Sequence, residues 1–240
     1  MSNGSDLLVI FDFDGVLIDS ETIALEELRN CIDAYGVDIS LAETRSRFLG
    51  SSVAHHMAFI AERTGKPCPP EFRSDWHDML YRRYRSELRL VPGAEATLDA
   101  LDEAGIGYAI ATGGAVDRLG VGLECAGLTS RFADRAFSAE LVPRGKPAPD
   151  IFLYTARQMG VSPSGCVVVE DAPHGIKGAL EAGMRVIGFT GGSHFAGMES
   201  EAVTTLRSAG AQQMASDHLE LLKLLLDLAR DAQSPEASGR

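Results

Sequence analysis

The segment Leu7-Leu8-Val9-Ile10-Phe11-Asp12-Phe13-Asp14-Gly15 decides how the rest of the chain is read. Five consecutive apolar residues with β-branched members have the composition of a strand buried in a parallel sheet. Such a strand has no reason to end in two carboxylates unless something there offsets their repulsion and desolvation. The carboxyl ends of strands in open α/β sheets are where ligands bind. A divalent cation with a phosphoryl group is the simplest occupant that takes two oxygen ligands. A polar strand end that merely opens a loop is the plainer alternative, and this stretch alone leaves it open.

At 240 residues the chain can bury a substantial core, as one large domain or a core plus a small module. No apolar stretch approaches the ~20 residues that span a bilayer. Residues 1–6 lack a basic region followed by an apolar one, so no secretory signal is expected. Cys31, Cys68, Cys125 and Cys166 are widely scattered without metal-type spacing, so reduced thiols and a cytoplasmic location are expected. A formal charge of −12 argues against a nucleic-acid partner. An anionic ligand would have to be held by local attraction. The patterning leaves monomer and homo-oligomer both open.

Beyond Ser20 the apolar spacing turns helical. Ile23, Leu25, Leu28, Ile32 and Tyr35 predict one helix stopped by Gly36. Further helices are predicted over Leu41–Leu49 and Ser52–Arg63, and a fourth opens at Pro69-Pro70 and carries Trp76, Leu80, Tyr81, Tyr84 and Leu88. From Val91-Pro92-Gly93 onward helices and strands alternate. Strands are expected at Tyr108–Ala111, Arg135–Phe137, Cys166–Val169, Arg185–Phe189 and around Ala211–Met214, with a Leu-rich helix over Ser216–Arg230. Alternation of this kind implies a parallel sheet covered on both faces. The expected architecture is α/β: a Rossmann-like three-layer core over 5–19 and 90–230, an inserted all-helical cap over 20–89, and a flexible tail over 231–240.

Three further strands end in suggestive residues. Tyr108–Ala111 runs into Thr112-Gly113-Gly114, where a hydroxyl and exposed N–H groups at a strand-to-helix junction can form an anion nest, although Thr-Gly-Gly is also an ordinary turn. In Gly145-Lys146-Pro147-Ala148-Pro149-Asp150, prolines fix the backbone around one of only four lysines. Val167-Val168-Val169-Glu170-Asp171 repeats the opening pattern of a buried strand followed by acids. Two acidic strand ends in one sheet can converge on a hard cation such as Mg2+. His174 is expected beside such a site or on the surface, because magnesium avoids imidazole.

The order acid pair, hydroxyl, lysine, acid pair, each on or after a predicted strand, resembles the haloacid dehalogenase-like superfamily, in its phosphatase and β-phosphoglucomutase branch. The motifs are Asp12-Phe13-Asp14-Gly15-Val16-Leu17-Ile18-Asp19-Ser20, Thr112, Lys146 and Glu170-Asp171. The helical insert matches that family's cap. The resemblance implies a magnesium-dependent phosphatase acting on a small phosphorylated metabolite. It makes Asp12 the nucleophile that becomes an aspartyl phosphate and Asp14 the general acid and then base. Asp12, Asp14 (through its carbonyl), Glu170 and Asp171 would hold the metal, while Thr112, Gly113 and Lys146 would hold the phosphoryl group.

Within the family, Asp14 argues against carbon–halogen cleavage, whose enzymes work without this second acid. Phosphonate-cleaving relatives need a cap lysine, and the cap has only Lys66, in a Gly-Lys-Pro loop. A phosphomutase remains an alternative, but this chain has Ala24 where such mutases carry a cap histidine, and Gly50-Ser51-Ser52-Val53 where they carry an arginine. Hydrolysis is therefore expected, with a catalytically silent binding protein as the third reading. For substrate choice the cap offers Arg47, His55, His56, Trp76 and Tyr81-Arg82-Arg83-Tyr84-Arg85. A phosphorylated sugar or sugar acid is the expected substrate.

Overall fold

In the computed structural model, which describes residues 7–233, the opening apolar run forms β1 (Leu8–Phe11) near the middle of the sheet. Four helices follow, α1 (Glu21–Ala34), α2 (Leu41–Phe48), α3 (Val53–Thr64) and α4 (Phe72–Glu87). The chain then alternates through α5 (Ala94–Glu103), β2 (Gly107–Thr112), α6 (Val116–Cys125), β3 (Ala136–Ser138), α7 (Asp150–Gln158) and β4 (Cys166–Glu170). It closes with α8 (Pro173–Glu181), β5 (Arg185–Phe189), α9 (Glu199–Ala209), β6 (Gln213–Ala215) and α10 (His218–Gln233).

All strand pairings are parallel, in the order β3-β2-β1-β4-β5-β6. Every residue of β1 is buried, because both faces of the sheet are covered. Val9 and Phe11 face a core shared with α5, α6, α10 and the helical block, whereas Leu8 and Ile10 face α7 and α8. The expected three-layer α/β architecture is the one observed.

Register explains why the functional residues meet. Phe11 lies opposite Ile110 on β2 and Val169 on β4. Asp12, Thr112 and Glu170 therefore emerge at nearly the same height, where the strand order reverses between β1 and β4. Crevices at such reversals are where doubly wound sheets bind ligands.

The helical block leaves and re-enters the core through two adjacent strands of chain. Asp19 N donates to Arg89 O at 2.9 Å and Val91 N to Leu17 O at 3.0 Å. Within the block, Ser40 and Ser52 cap α2 and α3 by accepting from Glu43 N and His55 N. Trp76, Leu80 and Tyr84 form the buried stripe of α4. Arg83 joins α4 to α1 through Glu26 (2.7 Å) and Glu27 (3.1 Å), and also pairs with Glu87.

Three boundaries differ from expectation. The chain after Pro69-Pro70 first makes a turn, with Phe72 N donating to Pro69 O, so α4 begins at Phe72. Ala211 N donates to Leu206 O, finishing the end of α9, so β6 starts only at Gln213. Residues 231–233, expected in a flexible tail, continue α10, since Asp231-Ala232-Gln233 contains no helix breaker. The rest of that expected tail, and the expected core residues 5 and 6, lie outside the described residues.

Candidate active site

Asp12 is placed by the sheet itself, its N–H donating to Val169 O at 2.9 Å. Lys146, on the proline-rich loop before α7, donates through Nζ to Asp12 Oδ1 at 2.9 Å and also to Glu170 Oε1. The second Glu170 oxygen accepts from Ala172 N at 3.1 Å. Gly175, in the first turn of α8, is forced by this carboxylate: a Cβ there would fall 1.6 Å from Glu170 Oε1. Oxygens of Asp12, Glu170 and Asp171 all lie within 4.8 Å of one another.

Three buried carboxylates thus cluster together, and two of them grip one ammonium. Burial, then the Glu170 charge, pushes the Asp12 carboxyl up to about 7 despite Lys146. Burial, with Asp12 and Glu170 beside it, holds the Asp171 carboxyl well above its ordinary value. Burial opposes charge on Lys146, but Asp12 and Glu170 prevail and hold its pKa above the usual lysine value. Excess buried negative charge presented by oxygens fits a hard divalent cation, and Asp12, Glu170 and Asp171 are the side chains that could hold one.

Asp14 is turned to a second cluster. Its Oδ1 accepts from Ser20 Oγ and from Arg118 Nη2, both at 2.6 Å. Arg118 Nη2 also lies 3.6 Å from Glu21 Oε1. Burial raises the Glu21 carboxyl to about 7, against the pull of Arg118. Thr112 ends β2 with its hydroxyl accepting from Gly114 N at 2.9 Å. Ser138, at the end of β3, donates to Gly114 O at 2.5 Å and steadies that turn. A Cβ on Gly113 would stand 4.0 Å from Lys146 Cδ, so this nest adjoins the lysine.

The helical block closes over these groups. Arg73 reaches core Glu140 at 2.9 Å, and His77 Nδ1 lies 3.4 Å from core Asp117. A Cβ on Gly50 would sit 3.4 Å from the exposed His174. Several buried donors lack partners, namely Arg45 Nε and Nη2 and Trp76 Nε1 in the helical block and Arg118 Nε on α6. Most of the basic side chains that the cap could offer to substrate are engaged elsewhere. Arg47 binds half-buried Glu43 over the Phe59 ring, Arg82 and Arg85 donate to carbonyls of their own helix, and Arg83 is tied to Glu26, Glu27 and Glu87.

The structure brings Asp12, Lys146, Glu170 and Asp171 together and sets Asp14, Thr112 and Gly113 beside them. Sequence reasoning missed Glu21, Arg45, Arg118 and His194. His194 Nε2 lies 3.3 Å from Asp171 Oδ2. Arg118 follows Thr112 by six residues in the first turn of α6, where an arginine on an amphipathic helix reads as solvated; only its closeness to Asp14 marks it.

Carboxylates and a hydroxyl at the carboxyl ends of β1, β2 and β4, joined by a loop lysine and covered by an inserted helical block, place a polar, acid-rich cluster at the switch point of an α/β sheet. The chain belongs to the haloacid dehalogenase-like hydrolases, whose family model matches residues 7–183. It is 35% identical over 181 residues to hexitol phosphatase A of Escherichia coli, covering 74% of this chain and 80% of that one. With 6-phosphogluconate phosphatase of the same organism it shares 26% identity over 82% of this chain and 88% of the relative. A hydrolase of the family from Deinococcus radiodurans, solved with bound phosphate and sodium, superimposes with a TM-score of 0.74 at 29% identity, covering 93% and 97% of the two chains. The protein is thus an enzyme of a hydrolase family with named phosphatases among its relatives. Among the described residues no helix is long and apolar enough to cross a membrane.

Proposed function

We propose that the protein is a magnesium-dependent phosphatase that hydrolyses a small phosphorylated sugar or sugar acid through an aspartyl phosphate on Asp12. The observation that carries this reading is the buried Asp12–Lys146–Glu170–Asp171 cluster, with more negative charge than one lysine balances. Phosphoryl transfer is mainly positioning and charge compensation, which such a cluster is suited to provide. The Deinococcus relative, solved with bound phosphate and sodium, shows that a protein of this fold can take up an anion and a cation of the kinds this reading needs.

Asp12 attacks phosphorus, forming a new O–P bond as the ester O–P bond breaks. Asp14 gives its proton to the leaving oxygen. Asp14 then takes a proton from water, whose oxygen attacks phosphorus and breaks the Asp12–P bond, releasing inorganic phosphate. Ser20 and Arg118 orient Asp14 for both steps. Thr112 and Gly113 hold phosphoryl oxygens, and Lys146 offsets the charge shared by Asp12 and the phosphoryl group. Mg2+, held by Asp12, Glu170, Asp171 and the Asp14 carbonyl, would supply charge neutralisation at the phosphoryl oxygens.

The unpartnered Arg45 fork supports a sugar acid in particular, since Nε and Nη2 form the edge of a guanidinium that matches a carboxylate. Against the mutase reading, Ala24 is packed in the core of the helical block and offers no proton to shuttle. Four free cysteines fit a reducing cytoplasm.

The test is phosphate release from a panel of phosphorylated hexitols, sugars and sugar acids with Mg2+, beside an Asp12→Asn variant and a chelator. Release is expected to fall at least about a thousandfold in the variant and to vanish with the chelator. Binding without release would instead support a silent binding protein, and interconversion of glucose phosphates a mutase.

A further inference from the structure

One buried histidine touches the acidic cluster and has no part in the steps above. His194 lies in the short turn Ser193–Phe195, which follows β5 through Gly191-Gly192. Its side chain is 2% exposed, and Nε2 lies 3.3 Å from Asp171 Oδ2. The fit around this pair is close. A Cβ on Gly192 would come within 2.6 Å of the imidazole, and one on Gly15 would fall 1.9 Å from Asp171 Oδ2 and 2.9 Å from His194 Cε1. Asp171 Oδ2 is therefore clasped between the Gly15 backbone and the ring. The turn is itself anchored, with Ser193 N and Oγ donating to Asp19 Oδ1 at 3.1 and 2.8 Å.

We propose that His194 is a positioning residue for the cation site: its Nε2, 3.3 Å from Asp171 Oδ2, gives that oxygen a fixed polar neighbour and so aims the carboxylate at the metal. This rests on the cation reading above. A carboxylate free to rotate offers a poorly directed ligand, and a donor on one oxygen removes that freedom; partners of this kind typically govern metal affinity about tenfold to a hundredfold. The imidazole suits the task because its ring is fixed on all sides and places one donor without adding a long flexible stem. Phe195 packs against it with ring centroids 3.9 Å apart. Nδ1 has no partner, so the contact with Asp171 is the polar contact the ring makes.

The experiment is Mg2+ titration of metal-free full-length protein by calorimetry, repeated with Mn2+ by electron paramagnetic resonance, for wild type, His194→Leu and His194→Gln. Circular dichroism of each metal-free variant reports folding. Leucine is expected to weaken binding of both ions at least about tenfold, and glutamine, whose amide can place a donor near the Nε2 position, to return within about threefold of wild type. Should the leucine variant not fold, His194→Asn, with its shorter reach, takes its place with the same expectation. Wild-type affinity in the leucine or asparagine variant overturns the inference, as does a glutamine variant no better than leucine. A wild type that binds neither ion overturns the cation reading of the whole site, and this inference with it.

Discussion

At the scale of single residues, burial sets the chemistry. His56 lies in α3 within the helical block, 2% exposed, with Ser51 Oγ 2.9 Å from Nε2. Burial, with the His55 and Arg118 charges, pushes its pKa down from 6.5 to about 4. The unfolded chain therefore takes up a proton between those values that the folded chain refuses. Stability from this group is complete above pH 6.5 and is lost as the pH falls toward 4. The slope is at most about 1.4 kcal/mol per pH unit. Urea unfolding at several pH values should show that extra slope in wild type and not in His56→Gln; equal slopes would refute the assignment. The acids were readable in the sequence because each pair stands at the end of an apolar run, where charge is costly without a purpose, and Lys146 because prolines hold its loop and lysines are few. Arg118 and His194 stand where arginine and histidine are ordinary, so nothing local set them apart.

At the scale of elements, α6 decides how the two aspartates are presented. Gly122 lies against Phe13, the residue between Asp12 and Asp14, and a Cβ there would come 2.6 Å from Phe13 Cε1. Alanine would raise helix propensity by up to about 1 kcal/mol. It would also displace a fully buried ring, and overpacking of this kind costs about 1–3 kcal/mol. Since Phe13 cannot yield into solvent, the clash should win. Gly122→Ala is expected to lower stability in urea by about 1–2 kcal/mol and to reduce kcat more than KM. An alanine variant more stable than wild type would show that α6 can shift freely. Helical periodicity was legible throughout this region, and all four inserted helices lie where spacing predicted them. The role of α4 was not. Its Tyr/Arg cluster could offer a grip for substrate but reads more readily as a packed stripe with a solvated basic face, and Arg83 instead joins α4 to α1 through Glu26 and Glu27.

At the scale of the whole molecule, a chain of net charge −12 gathers acids at the one place where its central strands end. The sheet and its helices are held by apolar burial on both faces, independently of any ion. Chelation should therefore leave far-UV circular dichroism unchanged. Mg2+ at a hundred times its dissociation constant should stabilise the fold by about 2.7 kcal/mol, read as a rise in Tm that is absent in Asp171→Asn. No rise in wild type would contradict a cation at this site. The alternation of strand and helix and the inserted helical block were determined by the sequence alone, because they follow from local periodicity, and the family was legible there through the resemblance of its motifs at Asp12–Ser20, Thr112, Lys146 and Glu170-Asp171. Only the tertiary structure decided that Arg118 grips Asp14, that His194 touches Asp171 and that the Arg45 fork lies buried without a partner. Those facts depend on which segments far apart in the chain are packed face to face, and on burial that no local pattern encodes.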